Sequence, residues 1–265
     1  MDPAWVVAAV AVVLAAALLR LLLRARREAS RLRAQLESAS EDLQRLQVAF
    51  SLFAPEDVVD RIASSGVPTG GERKEVTALF ADLVAFTALS EAVEPSTLVR
   101  ILNGYFQLTS RAIIEHRGHV STFIGDGVLA LFGAHQPNPW QGDDAVHAAL
   151  AIRKALERYN HELEAEGLPK LSVGVGIHRG EGVAGVVGSD HLKEFAVVGS
   201  VVNLASRTQQ LTRTHRVDVL VTQGVQKTLD SRFALRPLPA SEVKGVAEPV
   251  VTFAVEGFGA QERPA

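Results

Sequence analysis

The sequence predicts an α+β domain of the ferredoxin-like βαββαβ kind, carried behind an N-terminal transmembrane helix and a short coiled coil. Three observations carry the domain assignment. Glu75 to Leu83 is an apolar, β-favouring run, and it is followed from Pro95 to His116 by a helical stripe of Leu98, Ile101, Leu102, Tyr105, Leu108 and Ala112. His119 to Phe132 holds two more β-favouring runs divided by Gly125, Asp126 and Gly127, and Asp-Gly between such runs signals a hairpin. A second helical segment, Asp143 to Glu166, then leads to a strand over Leu171 to His178. Strand, helix, hairpin, helix and strand imply an antiparallel sheet covered by helices on one face.

Composition sets the frame. The 265 residues are 47% hydrophobic and 22% charged, with a formal net charge of -3. That suits one globular domain plus an appendage, and no charge excess marks a nucleic-acid binder. Without Cys there is neither a disulfide framework nor a Cys-based metal site, and a reducing cytosolic setting fits.

The appendage begins with Pro3 to Leu23, apolar except for Arg20 and long enough at ~1.5 Å per residue to cross a bilayer core. Asp2 precedes this run, while Arg24, Arg26 and Arg27 follow it. That charge order is the reverse of a cleavable signal peptide and places the N-terminus outside, with all that follows in the cytosol. The expectation is a single-pass protein of the inner or cell membrane, anchored through residues 1–24. Trp5 suits the outer interface, and Arg20 can snorkel to the other.

Residues 28–54 follow as a charged helix whose apolar residues step by four and three. Leu36, Leu43 and Phe50 fall at heptad position a, and Leu32, Ala39, Leu46 and Phe53 at d. A short parallel coiled coil is expected, with a single amphipathic helix lying on the domain as the alternative. Residues 55–72 form a short helix, Pro55 to Ala63, and a Gly, Ser and Pro linker, Ser64 to Glu72. The folded domain is expected over residues 73–256, with 257–265 as a tail.

Beyond the βαββαβ core, Glu194 to Val198 reads as a strand, Val202 to Leu211 as a helix, and Val217 to Val221 and Pro249 to Val255 as closing strands. Gly180 to Gly185 spells a formal GxGxxG, "GEGVAG", after a strand. Another β-rich segment follows where a dinucleotide site needs a helix, so these glycines are expected to make a tight hairpin.

Two carboxylates stand at strand ends, Asp82 and Asp126. Taken singly, Asp82 reads as an N-cap for a helix starting near Val84, and Asp126 as a turn residue. If the first strand neighbours the leading strand of the hairpin, the two face each other. Paired carboxylates repel, and the usual remedy is Mg²⁺ or Mn²⁺. In "VNLASR", Asn203 and Arg207 lie four apart and hence on one helix face, able to orient a sugar hydroxyl and neutralise phosphate charge.

Together, "FADLVAFT", "FIGDGVLALFG", "VGVGIHRGEGVAGVVGS" and "EFAVVGSVVNLASR" resemble, in order and spacing, the class III nucleotidyl cyclase catalytic domain of adenylate and guanylate cyclases. The resemblance covers Glu75 to Glu256, and a single membrane span with a short coiled coil is similar to known bacterial architectures. It implies that Asp82, Asp126 and the backbone carbonyl of Leu83 hold two divalent cations. One would activate the ribose 3′-hydroxyl of ATP and the other would hold the triphosphate, for in-line attack on the α-phosphate. It implies that the backbone of Val84, Ala85, Phe86 and Thr87 cradles phosphates, that Lys244 reaches them, that Asn203 positions the ribose and that Arg207 stabilises transition-state charge. It also implies a homodimer whose sites lie at the interface, the aspartates coming from one subunit and the Asn and Arg from the other.

The chain departs from the family at three places. Many members have Gly where this chain has Ala85. At the base-reading positions, adenylate cyclases usually carry Lys and Asp or Thr, and guanylate cyclases Glu and Cys; here they are Thr122 and Ala196. The expected activity is adenylate cyclase. A guanylate or relaxed-purine cyclase, or a catalytically silent dimerisation module, is the alternative. A domain that handles cyclic dinucleotides would need a second acid beside Asp126. The eight His residues show no metal-ligand spacing.

Overall fold

The computed structural model describes residues 20, 24, 26, 28, 30–45, 70–189, 193–246 and 248–259. The chain divides into two units, Met1–Gly66 and Val67–Ala265. In the first, residues 30–45 are helical, and Leu32, Leu36 and Leu43 of the heptad seam are exposed at 56%, 70% and 68%. Leu46, Phe50 and Phe53, the helix expected over Pro55 to Ala63, and the membrane span except Arg20 lie outside the described residues. Among the described residues no helix is long and apolar enough to cross a membrane.

In the second unit the chain runs β1 (Glu72–Leu83), α1 (Phe86–Ala92), α2 (Pro95–Glu115), β2 (His119–Ile124), β3 (Gly127–Phe132), α3 (Gln141–Ala165), β4 (Val173–Gly188), β5 (Lys193–Val198), α4 (Ser200–His215), β6 (Val219–Thr222), α5 (Gln223–Gln226), β7 (Phe233–Pro237) and β8 (Thr252–Phe258). The expected βαββαβ order holds from β1 to β4. The sheet order is β2-β3-β1-β4-β6-β8-β7, with β5 paired to the far end of β4. β7, a short strand ending in Pro237, and the four-residue α5 carry no clear sequence signal and were not expected.

Alternation along β1 sorts its side chains between two faces. Leu79, Ala81 and Leu83 join the main core with Ile101, Tyr105 and Ile113 of α2, Ile152 and Leu156 of α3, and Val175 and Ile177 of β4. Val76 and Ala78 point the other way. There they meet Leu129, Leu131, Val197, Val201 and Ala205 in a smaller core beneath α4. Helices therefore cover both faces, not one: α4 brings its apolar Val201 and Ala205 onto the sheet's second side. It lies close to β4 because Gly176 has no side chain; a Cβ there would collide with the Gln209 backbone.

Three further expectations are corrected. β1 pairs antiparallel with β3, the trailing strand of the hairpin, rather than with the leading strand β2. The "GEGVAG" glycines do not turn; they lie inside β4, which runs unbroken from Val173 to Gly188. Their bare Cα atoms permit close approach instead, since a Cβ on Gly182 would strike Val197 and one on Gly185 would lie 3.1 Å from the Gly71 Cα. Asp82 is not a helix cap: α1 starts at Phe86 behind Ala85, with no side-chain cap.

Candidate active site

Asp82 occupies the next-to-last position of β1, opposite Gly174 of β4. Its even position in the alternation puts the carboxylate on the α4 side of the sheet. Asp126 sits at the tip of the β2–β3 hairpin, where Ile124 pairs with Gly127. The two-residue turn is Gly125-Asp126, not Asp126-Gly127. Gly125 takes the left-handed conformation at φ 63°, which leaves Asp126 free of that constraint. Because β3 lies beside β1, the hairpin tip arrives over the end of β1. A Cβ on Gly127 would lie 3.3 Å from Asp82 Oδ1.

The electrostatics record the encounter. Burial, followed by the like charge of Asp126, pushes the Asp82 carboxyl up to about 6, against the opposing pull of Arg213. Tyr105 of α2 is fully buried, and burial raises its phenol with further contributions from Asp82 and Asp126. The sequence-predicted carboxylate pair is thus brought together at one end of the sheet.

Arg213, in the last turns of α4, was not foreseen. Its Nη2 donates to Asp82 Oδ2 at 2.8 Å and to the Leu83 carbonyl at 3.2 Å. In the sequence it reads only as a cation near a helix C-terminus, where the helix dipole favours one. Its target emerges only once α4 is laid across β4 and β1.

The turn after β1 is tightly held. The Val84 N–H donates to the Ser172 carbonyl at 2.8 Å, so that amide is already engaged. Ala85 sits in the left-handed region at φ 58° and ψ 32°, where a Cβ costs about 1 kcal/mol and glycine sits freely. Phe86 and Thr87 open α1.

Asn203 and Arg207 are not brought to the aspartates within one chain. Asn203 lies in the first turn of α4 and Arg207 near its middle, ten and six residues before Arg213, or ~15 and ~9 Å along a helix axis. The Arg207 guanidinium rests instead against the loop after β7: a Cβ on Gly245 would lie 3.2 Å from its Nη1. The same loop carries Lys244, which is exposed. Thr122 pairs with Leu129 on the α4 side of the sheet, and its hydroxyl reaches the Phe123 carbonyl at 3.4 Å. Ala196 pairs with Gly185 and is half-buried.

The donor set fits a hard divalent cation. Two carboxylates and a carbonyl are oxygen ligands of the kind Mg²⁺ and Mn²⁺ take, and a guanidinium on two of these oxygens shows that the place attracts positive charge. Among the described residues no group of three or more His, Cys, Asp or Glu side chains could hold a metal. A cation here would complete its shell with water and substrate oxygens, as Mg²⁺ commonly does.

Comparison with known proteins assigns the domain to a family. A family model described as the adenylate and guanylate cyclase catalytic domain matches residues 70–257. The chain is 34% identical over 234 residues to an adenylate cyclase of Anabaena cylindrica, covering 84% of this chain and 46% of that protein. It is 33% identical over 211 residues to adenylate cyclase 1 of Rhizobium meliloti, covering 78% and 32%. The chain therefore spans less than half the length of these relatives. Among solved structures, the guanylyl cyclase Cya2 superimposes with a TM-score of 0.66 at 31% identity, over 74% of this chain and 99% of that one. The adenylyl cyclase CyaB of P. aeruginosa gives 0.66 at 27% identity, over 70% and 95%.

Proposed function

This chain belongs to the class III family of adenylate and guanylate cyclase catalytic domains, and we propose from that premise that it converts ATP to 3′,5′-cyclic AMP and pyrophosphate. The observation that carries the proposal is the Asp82–Asp126 pair, two carboxylates brought together where burial, and then the like charge of Asp126, makes Asp82 resist ionisation. Two divalent cations, Mg²⁺ or Mn²⁺, held there with the Leu83 carbonyl would lower the pKa of the 3′-hydroxyl and offset the charge of the triphosphate.

The chain's own groups supply the rest. The α1 end of the β1 turn, Phe86 and Thr87, offers backbone N–H groups to phosphate, whereas the Val84 amide is committed to Ser172. Arg207 stabilises charge at the α-phosphate in the transition state, Asn203 orients the ribose and Lys244 reaches the outer phosphates. Arg207 and Asn203 lie about two and three helical turns from Arg213, whose guanidinium marks the aspartates of the same chain. Both halves of the site therefore meet in a homodimer that pairs the aspartates of one copy with Asn203 and Arg207 of the other. The exposed Leu32, Leu36 and Leu43 seam supports pairing through a coiled coil. The charge order around residues 3–23 supports a single-pass membrane anchor with the catalytic domain in the cytoplasm.

A second reading, a guanylate or relaxed-purine cyclase, rests on Thr122 and Ala196. Thr122 offers one hydroxyl and Ala196 none, so neither position supplies a charged partner for adenine or guanine. Losing a base-directed hydrogen bond costs about 1 to 3 kcal/mol of discrimination. The full chain in detergent, given Mn²⁺ with ATP or GTP, tests both readings. Cyclic AMP as the main product supports the first, and cyclic GMP formed from GTP at equal or greater rate supports the second. No cyclic product from either substrate refutes the enzyme.

A further inference from the structure

We propose that Arg213 is a placeholder cation, occupying in the metal-free chain the oxygens that a divalent ion takes over and so setting the ion concentration at which the site fills. The inference rests on the cyclase reading of Asp82 and Leu83 and concerns a residue that reading does not use.

The geometry is specific. One nitrogen, Nη2, carries two hydrogens, and both have acceptors: Asp82 Oδ2 at 2.8 Å and the Leu83 carbonyl at 3.2 Å. A carboxylate and a main-chain carbonyl one residue apart are thus bridged by a single positive group of the same chain. A hard cation seated on these two oxygens would lie within a few ångströms of that nitrogen. The two positive charges repel, and both need the same lone pairs, so they exclude one another.

The arm is also able to leave. The Arg213 side chain is 52% exposed, against 21% for Asp82, so its outer face already meets water. A guanidinium does not lose its proton under these conditions, so the site cannot be vacated by titration; the side chain must swing away. While it stays, it offsets part of the repulsion between Asp82 and Asp126 and ties the end of β1 to α4. When an ion arrives, that contribution is surrendered and subtracted from the ion's affinity. Arg213 is therefore a positioning residue that touches ion ligands, not substrate.

The experiment is a Mn²⁺ titration of the full chain in detergent without nucleotide, read by the electron paramagnetic resonance of free Mn²⁺. It compares wild type, Arg213→Gln, Arg213→Lys and Asp82→Asn. Partly exposed ion pairs are worth up to about 1 kcal/mol, so Arg213→Gln is expected to bind Mn²⁺ roughly fivefold more tightly. Arg213→Lys keeps a charge but loses the planar fork, so it should bind about twofold more tightly, and it serves if the Gln variant does not fold. In EDTA the Gln variant should melt below wild type, and Mn²⁺ should raise its melting temperature by more. Mn²⁺ affinity in the Arg213 variants equal to or weaker than wild type overturns the placeholder. Failure of wild type to bind Mn²⁺, or undiminished binding by Asp82→Asn, overturns the metal assignment beneath it instead.

Discussion

Replacing Asp126 by Asn should stabilise the metal-free chain while removing its catalytic function. The Asp82 carboxyl is raised to about 6 from 3.8 in the unfolded chain. At about 1.4 kcal/mol per pH unit, this difference caps the folded-state penalty near 3 kcal/mol. Burial is the larger cause and survives the substitution, so about 1 kcal/mol is assigned to the Asp126 charge. A carboxyl raised on folding favours the folded state fully below pH 3.8, and that contribution is lost as pH rises through about 6. The gain from Asp126→Asn should therefore appear at pH 7.5 and shrink toward zero at pH 4.5. Thermal unfolding in EDTA measures it, and for a domain of this size about 1 kcal/mol shifts the melting temperature by 2–4 °C. With Mn²⁺ at pH 7.5 the order should reverse, because wild type keeps both proposed ligands. A variant that melts below wild type in EDTA at pH 7.5, or whose advantage grows on acidification, would refute the assignment of Asp126 as a like-charge neighbour.

Two other substitutions test the local geometry. Ala85→Gly removes a Cβ from a left-handed residue at φ 58°, and should raise stability by about 0.5 to 1 kcal/mol in chemical unfolding. Gly245→Ala places a methyl 3.2 Å from Arg207 Nη1 and, at φ 73°, strains the backbone as well. Displacing Arg207 should cut kcat roughly tenfold to a hundredfold, while Mn²⁺ binding to the nucleotide-free chain stays unchanged.

The sequence made the convergence of Asp82 and Asp126 legible because both are acids at the ends of β-favouring runs, and the ends of neighbouring strands meet at one end of a sheet. The route of their meeting was not legible. The connection from β1 through α2 sets β2 two positions away from β1, and the hairpin's return strand β3 fills the gap, as the pairing records. "GEGVAG" misled because glycine serves two purposes. Composition favours a turn, whereas here the missing side chains let β5 and Gly71 approach a continuous strand. α4 was recognised as a helix, but its side of the sheet depends on Val201 and Ala205 finding the small core of Leu129 and Leu131. That tertiary placement also explains why Arg213 escaped notice. It is 131 residues from Asp82 along the chain, and no local pattern joins the two.

The claim that two copies share each site is tested most directly by mixing two inactive chains. Asp126→Ala removes a proposed ion ligand, and Arg207→Ala removes the proposed transition-state cation. In a mixed dimer one site carries both defects and the other carries neither. Co-purified heterodimers carrying distinct affinity tags, assayed for cyclic AMP with Mn²⁺ and ATP, should regain about half the wild-type activity per dimer. Heterodimers confirmed by both tags that remain as inactive as either parent would contradict the account.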